Sequence, residues 1–225
     1  MGQSSPDTCR YCSATCKKKG FYKGIQKLYC PACNRYQRVA YRYRLATLKN
    51  DHNIVLLNNE GMGISSISRY LHIPKTTVRR RILLISKKLK PPAISETNQV
   101  YEVDEMQTFI KENKPSSYTY ITYAINRATK QVIDFVVGSR SKEVIGKVTA
   151  KLLSLSPKKI YTDGLNIYPS LIPQNLHRVF RYHTNTIERN NLTLRTHIKR
   201  LARKTICFSK SILMLTACLK LYFYG

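Results

Sequence analysis

The sequence predicts a multi-domain protein with a small cysteine-dependent module, an α-helical segment and a mixed α/β domain. Three observations carry this prediction. Two Cys-x-x-Cys pairs occur within residues 1–40. Residues 42–90 show apolar side chains at three- and four-residue spacing, which is typical of helices. From residue 100 onward, short runs rich in β-branched and aromatic residues are followed by helical patterns at 141–155 and 187–220.

The first module is too short to be stable by apolar burial alone. Its cysteine pairs are Cys9 with Cys12 and Cys30 with Cys33, and seventeen residues separate them. Each pair can present two thiolates from a tight turn, and two such turns complete a tetrahedral Zn²⁺ site. The spacing therefore predicts a zinc ribbon, with reduced cysteines at chance spacing as the alternative. Cys16 breaks the paired pattern, so we leave it out of the site.

Between the two pairs, KKKGFYKGIQKLY alternates basic and aromatic residues. This pattern favours contact with nucleic acid, and we expect Lys17, Lys18 and Lys19 to be DNA-binding residues. A solvated hairpin would also explain it.

The charge of the chain points to a polyanionic partner. Lys and Arg number 39 against 12 acids, which gives a net charge of +27. Basic side chains that contact phosphates release counterions, so nucleic acid is the natural partner. A ribosomal-type or merely soluble basic protein is the alternative. The sequence has no long apolar run and no signal-peptide pattern, so we expect a cytoplasmic protein without a membrane partner.

The helical segment has the ingredients of a helix-turn-helix. In GISSISRYLHIPKTTVRRRI, apolar residues recur along one helix, a turn follows at Leu71 to Pro74, and a basic helix begins after it. The second helix would enter the major groove. Its expected DNA-binding residues are Lys75, Thr76, Thr77, Arg79, Arg80 and Arg81. A plain helical hairpin remains the alternative.

Acids are scarce after residue 92, where only nine occur. Asp104 lies near the end of a predicted strand, Asp163 follows another strand in YTDG, and Glu188 is in the first turn of a predicted helix. Clustered carboxylates repel unless cations neutralise them, so convergence would create a site for divalent metal such as Mg²⁺. Each acid also has an ordinary explanation: a strand-end acid, a turn former and a helix-dipole partner. The pattern alone leaves both interpretations open.

The helix that carries Glu188 is otherwise strongly basic. At helical spacing, Glu188 shares a face with Asn191, Arg195 and Lys199. We expect Asn191 and Lys199 to contact DNA and Arg195 to contact a phosphate. His183 would orient a water, a leaving group or a DNA strand. A solvated Arg and a satisfied surface His are the alternatives.

The order of these motifs resembles the insertion-sequence-one family of bacterial transposases. After the cysteine pairs and the helix-turn-helix come VDEMQTF, YTDG followed by a Tyr, IERNNLTLR and RLARKTICFSKS. The similarity extends over essentially the whole chain, and the closing segment is its most specific part. Gln107 departs from the family, where an aromatic residue is expected.

The resemblance implies a DDE transposase in which Asp104, Asp163 and Glu188 are catalytic and bind Mg²⁺, or Mn²⁺ in its place. It implies a ribonuclease H-like fold, a mixed five-stranded sheet flanked by helices. The implied partners are double-stranded DNA, as element ends and target, and at least one further copy of the chain, because two ends must be joined. The predicted order is a zinc ribbon (1–40), a helix-turn-helix domain (41–90), a linker (91–99) and the catalytic domain (100–225).

Two other functions fit parts of the sequence. A non-catalytic DNA-binding regulator, or an inactive transposase copy, would keep the N-terminal motifs without using the acids. A basic RNA-binding or ribosomal protein would show no preference for DNA ends.

Overall fold

A computed structural model describes residues 8–39, 49–94, 96–111, 118–179, 185–203 and 205–225. The chain divides into two compact units, one within residues 1–47 and the other within 48–225. His183 lies outside the described residues.

The first unit is a three-stranded antiparallel sheet. Its strands, in spatial order, are β1 (Lys17–Tyr22), β2 (Ile25–Cys30) and β3 (Arg35–Arg38). The buried apolar residues are Cys9, Cys16, Leu28 and Cys30. So small a core stabilises little on its own, as expected of a module that depends on its cysteines.

The second unit begins with three helices: α1 (Lys49–Asn59), α2 (Ile64–Tyr70) and α3 (Lys75–Lys88). Ile54, Ile67, Val78 and Ile82 are buried among them. Helices α1 and α3 also pack against the C-terminal helix, α6 (Ile212–Tyr224). The helical segment and the end of the chain therefore form one packed body.

A mixed five-stranded sheet forms the rest of the second unit, as predicted. The strands are β4 (Val100–Thr108), β5 (Thr119–Asn126), β6 (Val132–Gly138), β7 (Lys159–Thr162) and β8 (His177–Val179). Their spatial order is β6-β5-β4-β7-β8. Strands β4, β5 and β6 pair antiparallel, whereas β7 and β8 run parallel to β4. The central strand β4 is therefore where the two pairing modes meet.

Helices cover both faces of this sheet. Helix α4 (Lys142–Leu153) packs on one face, in a core with Tyr101, Val103 and Ile160. Helices α5 (Asn185–His197) and α6 pack on the other, in a core with Met106, Ile121 and Tyr123. None of the described helices is long and apolar enough to span a lipid bilayer.

The single helical pattern predicted at 187–220 is two helices, α5 and α6. Between them, a short 3-10 turn (Lys199–Leu201) ends the first helix. The backbone N–H of Lys111 then donates to the carbonyl oxygen of Ser209 at 3.0 Å. This pairing with the segment after β4 is a tertiary contact that competes with helix formation, and helical periodicity does not report it.

Candidate active site and cysteine centre

The register of the sheet brings Asp104 and Asp163 together. The parallel pairing of β4 with β7 aligns Glu102 with Tyr161. Asp104 and Asp163 each stand two residues further along these strands, so their side chains emerge side by side where the pairing ends. Carboxylate oxygens of Asp104, Asp163 and Glu105 lie within 4.8 Å of one another.

Asp104 is held from two sides. One of its oxygens, Oδ1, accepts the backbone N–H of Glu105 at 2.8 Å, and Oδ2 accepts Nδ2 of Asn191 at 2.6 Å. Asn191 in turn accepts the hydroxyl of Tyr123 at 2.8 Å. Burial raises the pKa of Asp104, and the charges of Asp163 and Glu188 act in the same direction, while the two hydrogen bonds oppose them.

Glu105 is an acid that the sequence analysis missed. Because side chains alternate along a strand, it faces the α4 side of the sheet while Asp104 faces α5. Its carboxylate is buried, accepts the hydroxyl of Tyr168, and accepts Nε of Arg140 at 3.0 Å. Burial is the main reason that its pKa is raised. The sequence signal for Glu105 was its position next to Asp104. Strand alternation places neighbouring side chains on opposite faces, so this signal did not indicate a shared site.

Arg140 bridges two of the three acids. Its Nη2 lies 2.9 Å from Oε2 of Glu105 and 3.4 Å from Oδ2 of Asp163. The guanidinium also lies 5.6 Å from the centroid of the Tyr120 ring. We call Asp104, Glu105 and Asp163 the acidic group. Arg140 therefore offsets part of the negative charge of this group, and its own side chain is partly exposed to solvent.

A tight turn orients the side chain of Asp163. Its Oδ1 accepts the backbone N–H of Leu165 at 3.1 Å. Gly164 has φ of +85°, and a Cβ there would come 2.9 Å from Cγ1 of Val179. The positive φ and the close approach of Val179 both favour glycine at position 164. Before the turn, the hydroxyl of Thr162 is 2.8 Å from Nε2 of His177, which ties β7 to β8.

Glu188 is in the first turn of α5 and is exposed. It does not belong to the 4.8 Å group, although its charge contributes to the raised pKa of Asp104. The position of its helix is fixed by a buried acid. Oε2 of Glu102 accepts the backbone N–H of Ile187 at 2.9 Å, and Oε1 lies 3.3 Å from Nε of Arg127. Glu102 therefore places Glu188 on the Asp104 side of the sheet.

The polar residues predicted to share a face with Glu188 have different surroundings. Asn191 faces Asp104, so its side-chain amide holds the acidic group. Arg195 is partly buried, and desolvation lowers its pKa while the charge of Asp104 raises it. The prediction that Lys199 lies on the Glu188 face of this helix is wrong, because α5 ends at His197 and Lys199 is exposed in the following 3-10 turn.

The acidic group suits a hard divalent cation. Three carboxylates lie within reach of one cation, but Glu105 is occupied by Arg140 and Tyr168. Asp104 and Asp163 are therefore its available oxygen ligands, and Asp163 is open to solvent. Mg²⁺ prefers such oxygens and retains waters or phosphate oxygens at its remaining positions. The residues present therefore fit the predicted metal.

The four paired cysteines also converge. Sγ of Cys9 is 3.6 Å from Sγ of Cys33, and Sγ of Cys12 is 3.4 Å from Sγ of Cys30. Tetrahedral zinc–thiolate bonds would separate the sulfurs by about 3.8 Å. The cluster could therefore bind zinc. A hydrogen bond from the Tyr11 backbone N–H helps to lower the pKa of Cys9 to about 6, which favours a thiolate.

Cys16 is outside this group. Burial raises its pKa to about 11, so it stays a protonated thiol.

The predicted DNA-binding residues of the helical segment are mostly at the surface. Lys75, Thr76, Arg79 and Arg80 are exposed on α3, and Thr77 is half-buried. Arg81 differs because Nε and Nη2 donate to both oxygens of Asp51, with Nε at 2.6 Å. In the first unit, Lys17, Lys18 and Lys19 are all exposed on β1.

Comparisons with known proteins identify the family. A family model described as IS1 transposase matches residues 99–223. The insertion element iso-IS1n protein InsB of Shigella dysenteriae is 37% identical over 113 residues, which cover 50% of this chain and 85% of that protein. The insertion element IS1 2 protein InsB of Escherichia coli (strain K12) is 32% identical over 133 residues, covering 56% and 78%.

A solved structure also aligns with the chain. It is the cryo-EM structure of a simian T-cell lymphotropic virus intasome in complex with PP2A regulatory subunit B56 gamma. The alignment covers 73% of this chain and 66% of that one, with 14% identity and a TM-score of 0.38. The family match and the two InsB relatives agree with the resemblance seen in the sequence, and the chain belongs to the IS1 transposase family.

Proposed function

We propose that this protein is a DDE-type DNA transposase that cleaves the ends of an insertion element and joins them to target DNA. The observation that carries the proposal is the meeting of Asp104 and Asp163 at equivalent positions of adjacent parallel strands. Glu188 supplies the third acid from α5, which Glu102 and Asn191 hold against the same edge of the sheet.

Two reactions take place at this one site. In the first, water attacks the phosphorus at the element end and the 3′ oxygen leaves as a hydroxyl. In the second, that 3′ hydroxyl attacks a target phosphodiester, forms the new bond and releases a target 3′ hydroxyl. Both are in-line phosphoryl transfers, so one set of residues serves both.

The roles follow from the contacts. Asp104, Asp163 and Glu188 would hold Mg²⁺ or Mn²⁺, which when bound would activate the attacking oxygen and stabilise the leaving one. Asn191 fixes the Asp104 carboxylate, and Glu105 with Tyr168 fixes Arg140 beside Asp163. Arg195, whose pKa the charge of Asp104 raises, would contact the reacting phosphate. His183 would orient a water, a leaving group or a DNA strand.

The N-terminal half would recognise the element ends. The exposed residues at the start of α3, Lys75, Thr76, Arg79 and Arg80, have the placement of a recognition helix. Arg81 is engaged by Asp51, so we leave it out of the contacting set. The cysteine centre would bind Zn²⁺ and hold Lys17, Lys18 and Lys19 on the sheet that contacts DNA. The protein would act in the bacterial cytoplasm, at the nucleoid, as a dimer or larger assembly on DNA.

Cleavage of labelled DNA that carries the element ends tests the proposal. With Mg²⁺, the wild-type protein is expected to give nicks with 3′ hydroxyls and joined products. Asp163→Asn and Glu188→Gln should each lose both products while binding the same DNA.

Asp134→Asn is a matched control for these variants. Asp134 lies in β6, and its Oδ1 accepts the next backbone N–H at 2.8 Å, the same local bond that Asp104 makes. This variant should keep full activity. Cleavage that survives every change at the acids would refute the proposal. End binding without cleavage by wild-type protein would favour a regulator or an inactive copy, and binding to RNA without preference for the ends would favour a basic RNA-binding protein.

A further inference from the structure

The three-stranded sheet of the first unit has two chemically different faces. Leu28, Cys30 and Gln37 are buried on the face that carries the cysteine centre. Alternation along β2 and β3 puts Tyr29 and Tyr36 on the opposite face, where they are cross-strand partners. Neither zinc binding nor the core uses this second face.

Three tyrosines and three cations share it. Tyr22 is paired with Ile25 and Lys17 with Tyr29, which places both β1 residues on the same side as Tyr36. Lys27 and Arg38 are cross-strand partners on that side too. We call the set the stacking face: Lys17, Tyr22, Lys27, Tyr29, Tyr36 and Arg38.

The rings and cations of the stacking face interleave. Nζ of Lys27 is 4.1 Å from the Tyr36 ring centroid, and the Arg38 guanidinium carbon is 4.6 Å from that of Tyr22. The rings of Tyr29 and Tyr36 are 5.0 Å apart. Even so, Tyr22 and Tyr36 keep 48% and 52% of their surface exposed. Large aromatic side chains left this open, with cations beside them, indicate a surface for a ligand that is both flat and anionic.

We propose that the stacking face binds unpaired DNA nucleotides, with bases on Tyr22 and Tyr36 and phosphates beside Lys17, Lys27 and Arg38. Residues 8–39 contain eight Lys or Arg and no acid, so the charge suits a phosphate chain. Duplex DNA could use the cations but not the rings, because its bases are already stacked on one another. The choice of DNA over RNA rests on the proposed function, whereas the stacking does not.

The cations that lie over the rings do not prevent stacking. An exposed cation–π contact is weaker than a base stacked on an aromatic ring, so an arriving base displaces the flexible Lys or Arg side chain. The displaced cation then lies next to the phosphate of the same nucleotide. On binding, each ring exchanges its Lys or Arg contact for a base, which interacts more strongly. The displaced Lys or Arg then pairs with a phosphate.

Fluorescence anisotropy with the full chain tests this inference. The probes are a labelled oligothymidine, a duplex of equal length and the matching oligouridine, at one fixed salt concentration. Tyr36→Leu and Tyr22→Leu, on different strands, should each bind the oligothymidine about five- to one-hundred-fold more weakly. Duplex binding should change by less than about twofold, because the cations remain.

Tyr36→Phe is the matched control, since it keeps the ring and removes only the hydroxyl. It should bind the oligothymidine as wild type does. Zinc content and the thermal midpoint of each variant show that the unit is folded. The inference is overturned if both leucine variants bind oligothymidine normally, if they lose duplex binding equally, or if wild type prefers the duplex or oligouridine. Asp163→Asn should still bind oligothymidine, so a failure of the proposed catalysis leaves this result separate.

Discussion

Asp104 is an ionisable side chain whose surroundings and hydrogen bonds oppose each other. Burial and the neighbouring acids raise its pKa above the ordinary value of 3.8, although Asn191 and a backbone N–H favour the ionised form. A raised pKa means that the folded protein binds this proton more readily than the unfolded chain does. The stabilising contribution of Asp104 is therefore present below pH 3.8 and is lost as the pH rises through the raised pKa.

Asp104→Asn should therefore stabilise the protein in the absence of metal. In Mg²⁺-free buffer without chelator at pH 8, with zinc retained, we expect its thermal midpoint to be higher by a few degrees, at about 2–4 °C for each kcal/mol. The gain should disappear as the pH falls and Asp104 of the wild type becomes protonated. Differential scanning calorimetry across pH measures both effects.

Addition of Mg²⁺ should reverse the ranking, because a ligand that binds only the folded state stabilises it. The midpoint of the wild type should rise with Mg²⁺ and that of Asp104→Asn should not. Asp134→Asn is the control, since it should keep the Mg²⁺ response. A metal response that persists in Asp104→Asn would contradict the proposed site.

Arg140 competes with a metal ion for Asp163, a proposed metal ligand that it contacts. It lies 2.9 Å from Glu105 and 3.4 Å from Asp163, so it repels an incoming cation while it holds the acids together. We expect Arg140→Ala to bind Mn²⁺ roughly three- to tenfold more tightly. The same variant should be less stable in Mn²⁺-free buffer without chelator by about 1–2 kcal/mol, because the buried Glu105 loses its cation. Titration followed by electron paramagnetic resonance measures the affinity.

Arg140→Lys separates charge from geometry. Lysine keeps the positive charge but not the two-point contact, so its Mn²⁺ affinity should stay close to that of the wild type. If Arg140→Ala bound Mn²⁺ more weakly, Arg140 would be supporting the metal site and not competing with it.

The acids of the site were only partly predictable from the sequence. Asp163 directly follows β7, as its sequence pattern predicts, but β4 continues to Thr108, so the prediction that Asp104 lies near the end of its strand is wrong. The two acids meet because the parallel pairing stops at Glu102 and Tyr161, two residues before each of them. Glu105 is not predictable in this way, because strand alternation places it on the opposite face of the sheet from Asp104. Its carboxylate comes close to Asp163 only through the tertiary fold. Arg140 comes from the segment after β6, and no spacing rule connects it to either acid.

At the scale of elements, Gly61 controls how the helical segment meets the sheet domain. Its φ is +73°, and a Cβ there would clash with the backbone carbonyl oxygen of His197 at the end of α5. Gly61→Ala should therefore cost about 2–4 kcal/mol, from the strained backbone and from separation of the two elements. Urea unfolding followed by circular dichroism measures this cost.

Gly63 provides the comparison within the same turn. It has φ of −73°, and a Cβ there would have no neighbour within 4 Å. Gly63→Ala should change stability by less than about 0.5 kcal/mol. Equal costs at the two glycines would show that the loss comes from glycine flexibility in general and not from contact with α5.

The elements themselves were predicted unevenly. Strands β4 and β5 follow from local pattern, because burial on both faces of the sheet selects apolar and β-branched residues. Helix α4 follows from an apolar stripe at helical spacing, Ile145, Val148 and Leu152. Strand β8 has three residues, two of them exposed, and exists through its pairing with β7. The break between α5 and α6 contains Ser209, which pairs with Lys111 in the segment after β4. Pairings between segments that are distant in the sequence leave no periodic pattern of apolar residues, so the sequence does not predict them.

At the scale of the molecule, the two units are stabilised in different ways. The second has two apolar clusters on the faces of its sheet. Within residues 8–39, the first has a core of three cysteines and one leucine, against which Ala14 and Cys33 pack as partly buried residues. Zinc bound to four thiolates would supply most of its folding free energy, because the site does not exist in the unfolded chain.

Loss of zinc should therefore unfold the first unit and spare the second. We expect Cys30→Ser, or a strong zinc chelator, to accelerate hydrogen exchange throughout residues 17–38 while protection in β4, β5 and α4 stays unchanged. The Mg²⁺-dependent rise in thermal midpoint should persist, since the acidic site draws on residues 102–191 alone. Cys16→Ser is the control within the same module: its thiol is buried but lies outside the four-sulfur group, so one zinc per chain should remain. Retention of a full zinc by Cys30→Ser, or loss of protection in both units, would contradict this division of the molecule.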